Sequence, residues 1–94
     1  AMHMKQSTAI AELNISIINT LASIVKRGLS DGSFARDIDP IDLHMLISAF
    51  CIFRLANKHT FGTIYNRDLS SPEYYNKHKA MLADSVISYL KTPA

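Results

Sequence analysis

The chain has 94 residues, enough for one domain and near the lower limit of what folds without help. Hydrophobic residues make up 48% and charged residues 19%, which excludes a disordered tail. Ten basic residues against eight acidic leave a net charge of +2, and the basic ones, such as Lys26, Arg36, Arg54, Arg67 and Lys79, are scattered, which argues against a nucleic-acid surface.

The opening Ala1-Met2-His3-Met4 reads as an expression-tag remnant and is set apart, leaving residues 5–94 as the domain. The lone Cys51 can form no intramolecular disulfide, which fits a reducing cytoplasm. The richest apolar stretch, Leu46 to Leu55, carries Ser48 and Arg54 and is too short to span a bilayer. No signal peptide is visible. A cytoplasmic protein without a membrane partner is expected.

The first helix is predicted from about Thr8 to Arg27, capped by Ser7 or Thr8 and stopped by Gly28. At about 100° per residue, Glu12, Ser16, Asn19, Ser23, Lys26 and Arg27 share one side. Ile10, Leu13, Ile17, Leu21, Ile24 and Val25 share the other, extended by Ile15 and Ile18. Asn14 falls inside the apolar arc. A connector from Gly28 to Asp39 follows, with Asp31-Gly32 as a turn signal and Phe34 as a plug for the core.

Asp39-Pro40 announces the second helix, because aspartate accepts from the free first-turn amides and proline has no amide to leave unpaired there. This helix, about Pro40 to Lys58, is apolar nearly all round. Leu43, Ile47, Phe50 and Cys51 cover one face; Met45, Ala49, Ile52, Phe53 and Ala56 cover much of the other. Such a helix needs cover on nearly every side, more than three helices of one chain supply. Between His59 and Leu69, the spacing of Phe61, Ile64 and Tyr65 predicts a short helical turn. Ser71-Pro72-Glu73 then opens the third long helix, which runs to about Leu90 with an apolar arc too wide for one neighbour.

Chemistry-bearing residues are few. His44 and Cys51 lie seven apart on one helix face, but a thiol among Phe50, Ile52 and Phe53 is expected to be buried and neutral. His44, His59 and His78 share no metal-ligand spacing. No catalytic residue, metal or cofactor is expected. His78 and Ser85 are polar groups on an apolar stripe, where one hydrogen bond can fix the register of paired helices. If His78 met its own copy across a two-fold axis, protonation would weaken the pair. The tyrosines at 65, 74, 75 and 89 are expected as interface anchors.

The run Arg27-Gly28-Leu29-Ser30-Asp31-Gly32-Ser33-Phe34, then Asp37-Ile38-Asp39-Pro40 and an apolar helix, resembles the C-terminal region of TetR-family transcriptional regulators. Asn57-Lys58-His59-Thr60-Phe61-Gly62-Thr63-Ile64, Arg67-Asp68-Leu69 and Pro72 are similar to one branch of those domains. The resemblance covers about Lys5 to Leu90. It implies an all-α fold of three main helices and a short helical turn, the last two long helices pairing with a second copy in a four-helix interface. The homodimer interface is then expected at Ile47, Phe50, Arg54, Tyr75, His78, Leu82, Ser85, Val86 and Tyr89. A wall of a small-molecule effector pocket is expected at Asn14, Ile17, Ile18 and Leu21. Operator DNA would be reached only through an N-terminal domain that these residues do not include. The alternative is a free-standing helical interaction module that binds a partner helix.

Overall fold

In the computed structural model the chain is a succession of helices: α1 (Met2–Asp31), α2 (Pro40–Ala56), α3 (Lys58–Tyr65) and α4 (Pro72–Lys91). The backbone is described from Met2 to Ala94 and side chains from Thr8 onward, so the tag remnant read at residues 1–4 lies outside the residues described in full. Among the described residues there is no strand.

α1 departs from expectation at both ends. It is already under way before Ser7 and Thr8, so neither caps it. Gly28 does not stop it either: the helix runs on to Asp31, and the chain turns at Gly32, whose φ of +82° favours glycine. The Asp31 carboxylate accepts from the Ser33 amide at 2.8 Å, and hydrogen bonds from Ser33 hold that carboxyl below its ordinary value. Gly28 has a different purpose. A Cβ placed on it would sit 2.0 Å from the Phe34 ring. The Phe34 amide also donates to the Gly28 carbonyl at 2.9 Å. The helix holds a glycine here because the expected plug, Phe34, folds back onto it.

The two Pro-initiated helices begin where expected. Asp39 accepts from the Ile41 amide at 2.8 Å, and Ser71 accepts from the Tyr74 amide at 3.3 Å. α2 stops at Ala56, and a single residue, Asn57, separates it from α3. Eight residues long, α3 exceeds the single turn expected. It ends at Asn66, which is left-handed at φ 51°. Gly62 permits a close backbone approach there: a Cβ on it would lie 2.5 Å from the Arg67 carbonyl oxygen.

Among the described residues the buried hydrophobic side chains are Val25 from α1, Leu43 from α2, Leu69 from the α3–α4 loop and Leu90 from α4. α1 packs on α2, and α2 on α3. The connector between α1 and α2 serves the end of α4. The amides of Ala35 and Arg36 both donate to the Leu90 carbonyl, at 2.9 and 3.0 Å. Arg36 Nε donates to the carbonyls of Tyr89 (3.1 Å) and Thr92 (3.0 Å), and Nη2 to that of Pro93 (3.2 Å). Its guanidinium lies 4.1 Å from the centre of the Tyr89 ring. One arginine thus satisfies carbonyls that a helix end leaves open, with the charge sign the dipole prefers.

The result is a slab of 44 × 43 × 21 Å with a radius of gyration of 16.4 Å, against about 12 Å for a compact chain of this length. Its accessible surface is 7247 Å². A compact monomer of 10.5 kDa exposes about 5,400 Å². Large apolar side chains on every long helix contribute to the open surface, and the chain does not cover them.

By length and composition, Thr8–Asp31 of α1 could also cross a membrane, a longer apolar stretch than Leu46 to Leu55. Apart from Asn14, the polar residues from Glu12 to Arg27 gather mostly on one side, and Val25 and Gly28 are buried on the other. That two-sidedness is what packing on α2 requires.

Candidate functional site

The two faces of α2 meet different fates. Leu43 is buried, and Ile47, Phe50 and Arg54 are half-buried on the side that meets the rest of the chain. On the outer side Ile41, Met45 and Ile52 lie open, Met45 at 67% and Ile52 at 64% exposure, with Ala49 and Ala56 among them, while Phe53 at the edge of this side meets Phe61 of α3. Asp42 adds a charge to this stripe. Cys51 is exposed, contrary to the buried thiol expected, because no other part of the chain covers its position. His44 Nδ1 pairs with the Ser48 hydroxyl at 3.2 Å, one turn along the same helix. No group of His, Cys, Asp and Glu among the described residues could hold a metal ion.

The inner face carries a polar hub. Arg54 donates from Nε to His78 Nδ1 at 2.9 Å, and from Nη2 to the Leu69 carbonyl, so one side chain joins α2, the α3–α4 loop and α4. Since Nδ1 accepts, the neutral imidazole carries its proton on Nε2. Phe50 meets the His78 ring edge-on, with centroids 6.2 Å apart. The Arg54 guanidinium lies 5.7 Å from the centre of the Tyr75 ring. Burial, and then the charges of Arg54, Arg67 and Lys77, hold His78 below its ordinary pKa.

Of the residues expected at an interface, Ile47, Phe50, Arg54, His78, Leu82 and Val86 are half-covered by their own chain. Tyr75 and Tyr89 are open, Tyr89 against Arg36. Ser85 is exposed, and its hydroxyl donates to the Met81 carbonyl of its own helix at 2.7 Å. The row Tyr74, His78, Leu82, Val86 and Leu90, four residues apart, is the side of α4 turned to the chain. On α1, Ile17, Ile18 and Leu21 are half-buried and Asn14 is exposed, all on the side that continues into Val25. Ile10 and Leu13 extend that side and lie open.

Between α2, α3 and α4 lies a groove of about 500 Å³. Phe50, Phe53, Phe61 and Met81 line it, with Arg54, Arg67 and Lys77 around them and no acidic residue. Phe53 and Phe61 meet edge-on at 6.2 Å. Sequence patterning does not indicate this groove, because it depends on how α3 turns after Asn57.

The chain matches the family described as "Tetracyclin repressor-like, C-terminal domain" over residues 1–86. No curated protein and no solved structure matches it.

Proposed function

The chain belongs to the tetracyclin repressor-like C-terminal domain family, and from that membership we propose that it is the dimerisation and effector-sensing domain of a cytoplasmic transcriptional repressor. The observation that carries the dimer reading is the open apolar stripe of α2, Met45, Ala49 and Ile52. An exposed patch of this kind marks an interaction surface. In this reading α2 and α4 pair with their copies, with Tyr75, Leu82, Ser85, Val86 and Tyr89 contributing from α4. Ile47, Phe50, Arg54 and His78 support the interface through contacts within the chain.

The effector wall is read at Asn14, Ile17, Ile18 and Leu21, where α1 carries apolar side chains and one amide on a single side. Apolar side chains with a few polar groups are how small-molecule pockets are built. Operator binding belongs to another part of the repressor.

The test is light scattering on wild type and on Met45→Glu with Ile52→Glu. The wild type should have twice the chain mass and the double variant the single mass, with helical content retained. A double variant that stays dimeric contradicts the reading. Leu82→Glu should dissociate the assembly and also unfold the chain, since Leu82 is partly covered by its own protomer.

A further inference from the structure

We propose that the groove between α2, α3 and α4 binds a small organic anion with an apolar body, of the aryl- or alkyl-carboxylate class. This site is separate from the α1 wall, and all its groups belong to one chain, so it does not depend on the dimer reading. Its volume of about 500 Å³ lies within the range of roughly 300–1,000 Å³ typical of ligand pockets. Phe50, Phe53, Phe61 and Met81 accept an aromatic or alkyl body without demanding hydrogen bonds.

The charge around these walls is of one sign. Arg67, from the α3–α4 loop, has its guanidinium carbon 5.4 Å from the centre of the Tyr74 ring. Lys77, from α4, has its ammonium 6.0 Å from the same ring. Both rest near an aromatic face, and the groove offers them no carboxylate. Arg54, from α2, uses Nε and Nη2 on His78 and Leu69, leaving its other donors for a ligand. α3 contributes Phe61 here and no charge. A cleft of one charge sign with apolar walls concentrates ligands of the opposite sign. A carboxylate suits the arginine fork, and the apolar walls select against a bare inorganic ion.

His78 reports on the same field from inside the groove. Its protonation is opposed by burial and then by the charges of Arg54, Arg67 and Lys77, and a bound anion would offset the charges.

The experiment is calorimetric titration of the chain at pH 7 with 4-phenylbutyrate and with its neutral isostere 4-phenylbutyramide. NMR titration of His78 follows, with the acid bound and with the amide bound. The acid should bind at least about tenfold more tightly than the amide, the least that one charge-assisted hydrogen bond contributes. The exposed double variant Arg67→Gln with Lys77→Gln should remove most of the difference between acid and amide. Acid and amide bury His78 alike, so its titration midpoint should be higher with the acid bound than with the amide. Equal affinity of acid and amide, no binding of either, or full discrimination in the double variant would overturn the proposal. Inorganic phosphate displacing the acid at matched concentration would also overturn it. Sedimentation of the same samples separates the two readings: binding by a chain that proves monomeric leaves this proposal standing and removes the dimer.

Discussion

The inner and outer sides of α2 are built from the same kinds of residue and are held in different ways. Leu43, at 2% exposure, is enclosed by its own chain, whereas Met45, two positions later, stands at 67%. The inner side also has a polar lock, Arg54 on His78 and Leu69. The outer stripe presents its apolar side chains to water in the single chain. Hydrophobicity alone therefore does not say which side a chain reserves for itself. That choice follows from where α1 and α3 pack on α2 and where Arg54 reaches His78 and Leu69.

A pair of truncations should separate the two sides by the widest margin. Leu43→Ala should cost about 2–5 kcal/mol, a large part of the stability of a small domain, because Leu43 is the most enclosed side chain among the described residues. Met45→Ala should change the stability of the single chain by no more than about 0.5 kcal/mol while weakening association. Urea denaturation at low and high protein concentration reads both. Equal losses for the two variants in the monomer would erase the distinction between the sides.

A smaller effect is expected where Phe34 meets α1. Gly28→Val places side-chain atoms where the ring lies and should destabilise by about 1–3 kcal/mol. Adding Phe34→Ala should recover part of that loss, measured as a shift in the denaturation midpoint. Smaller again is Arg36→Gln, which removes the guanidinium from three carbonyls at the end of α4. It should cost about 1 kcal/mol, mostly as fraying seen in amide exchange of Tyr89 to Thr92.

The mildest expected effect is one of pH. His78 is depressed in the folded chain, so as pH falls through the unfolded value of 6.5 the unfolded chain takes up a proton first. Stability is full above that value and declines as pH falls toward the folded pKa. His78→Gln should flatten this slope in denaturation curves taken between pH 7 and 5. This origin differs from two protonated histidines meeting across an axis, since the opposition comes from burial and then from charges of the same chain. A slope that vanishes on dilution to monomer would favour the intermolecular cause instead.

The features legible in the sequence are those decided locally. Asp39-Pro40 and Ser71-Pro72 start helices through contacts two or three residues away, and both helices begin there. Gly28 looks like a stop, yet its reason is the Phe34 ring, a packing partner that periodicity does not show. Arg36 gives no signal for the same cause: its carbonyl partners lie more than fifty residues along the chain. The helical wheel of α2 shows that it needs cover on both sides. It does not show that Arg54 and His78 bond to each other, or that Met45 and Ile52 are left outside.

Whether a second copy of the chain covers the outer stripe of α2 is decided by sedimentation equilibrium of the unmodified chain at micromolar concentration. A single species of twice the 10.5 kDa chain mass is expected. A well-folded species at the single mass, stable across that concentration range, would contradict the pairing.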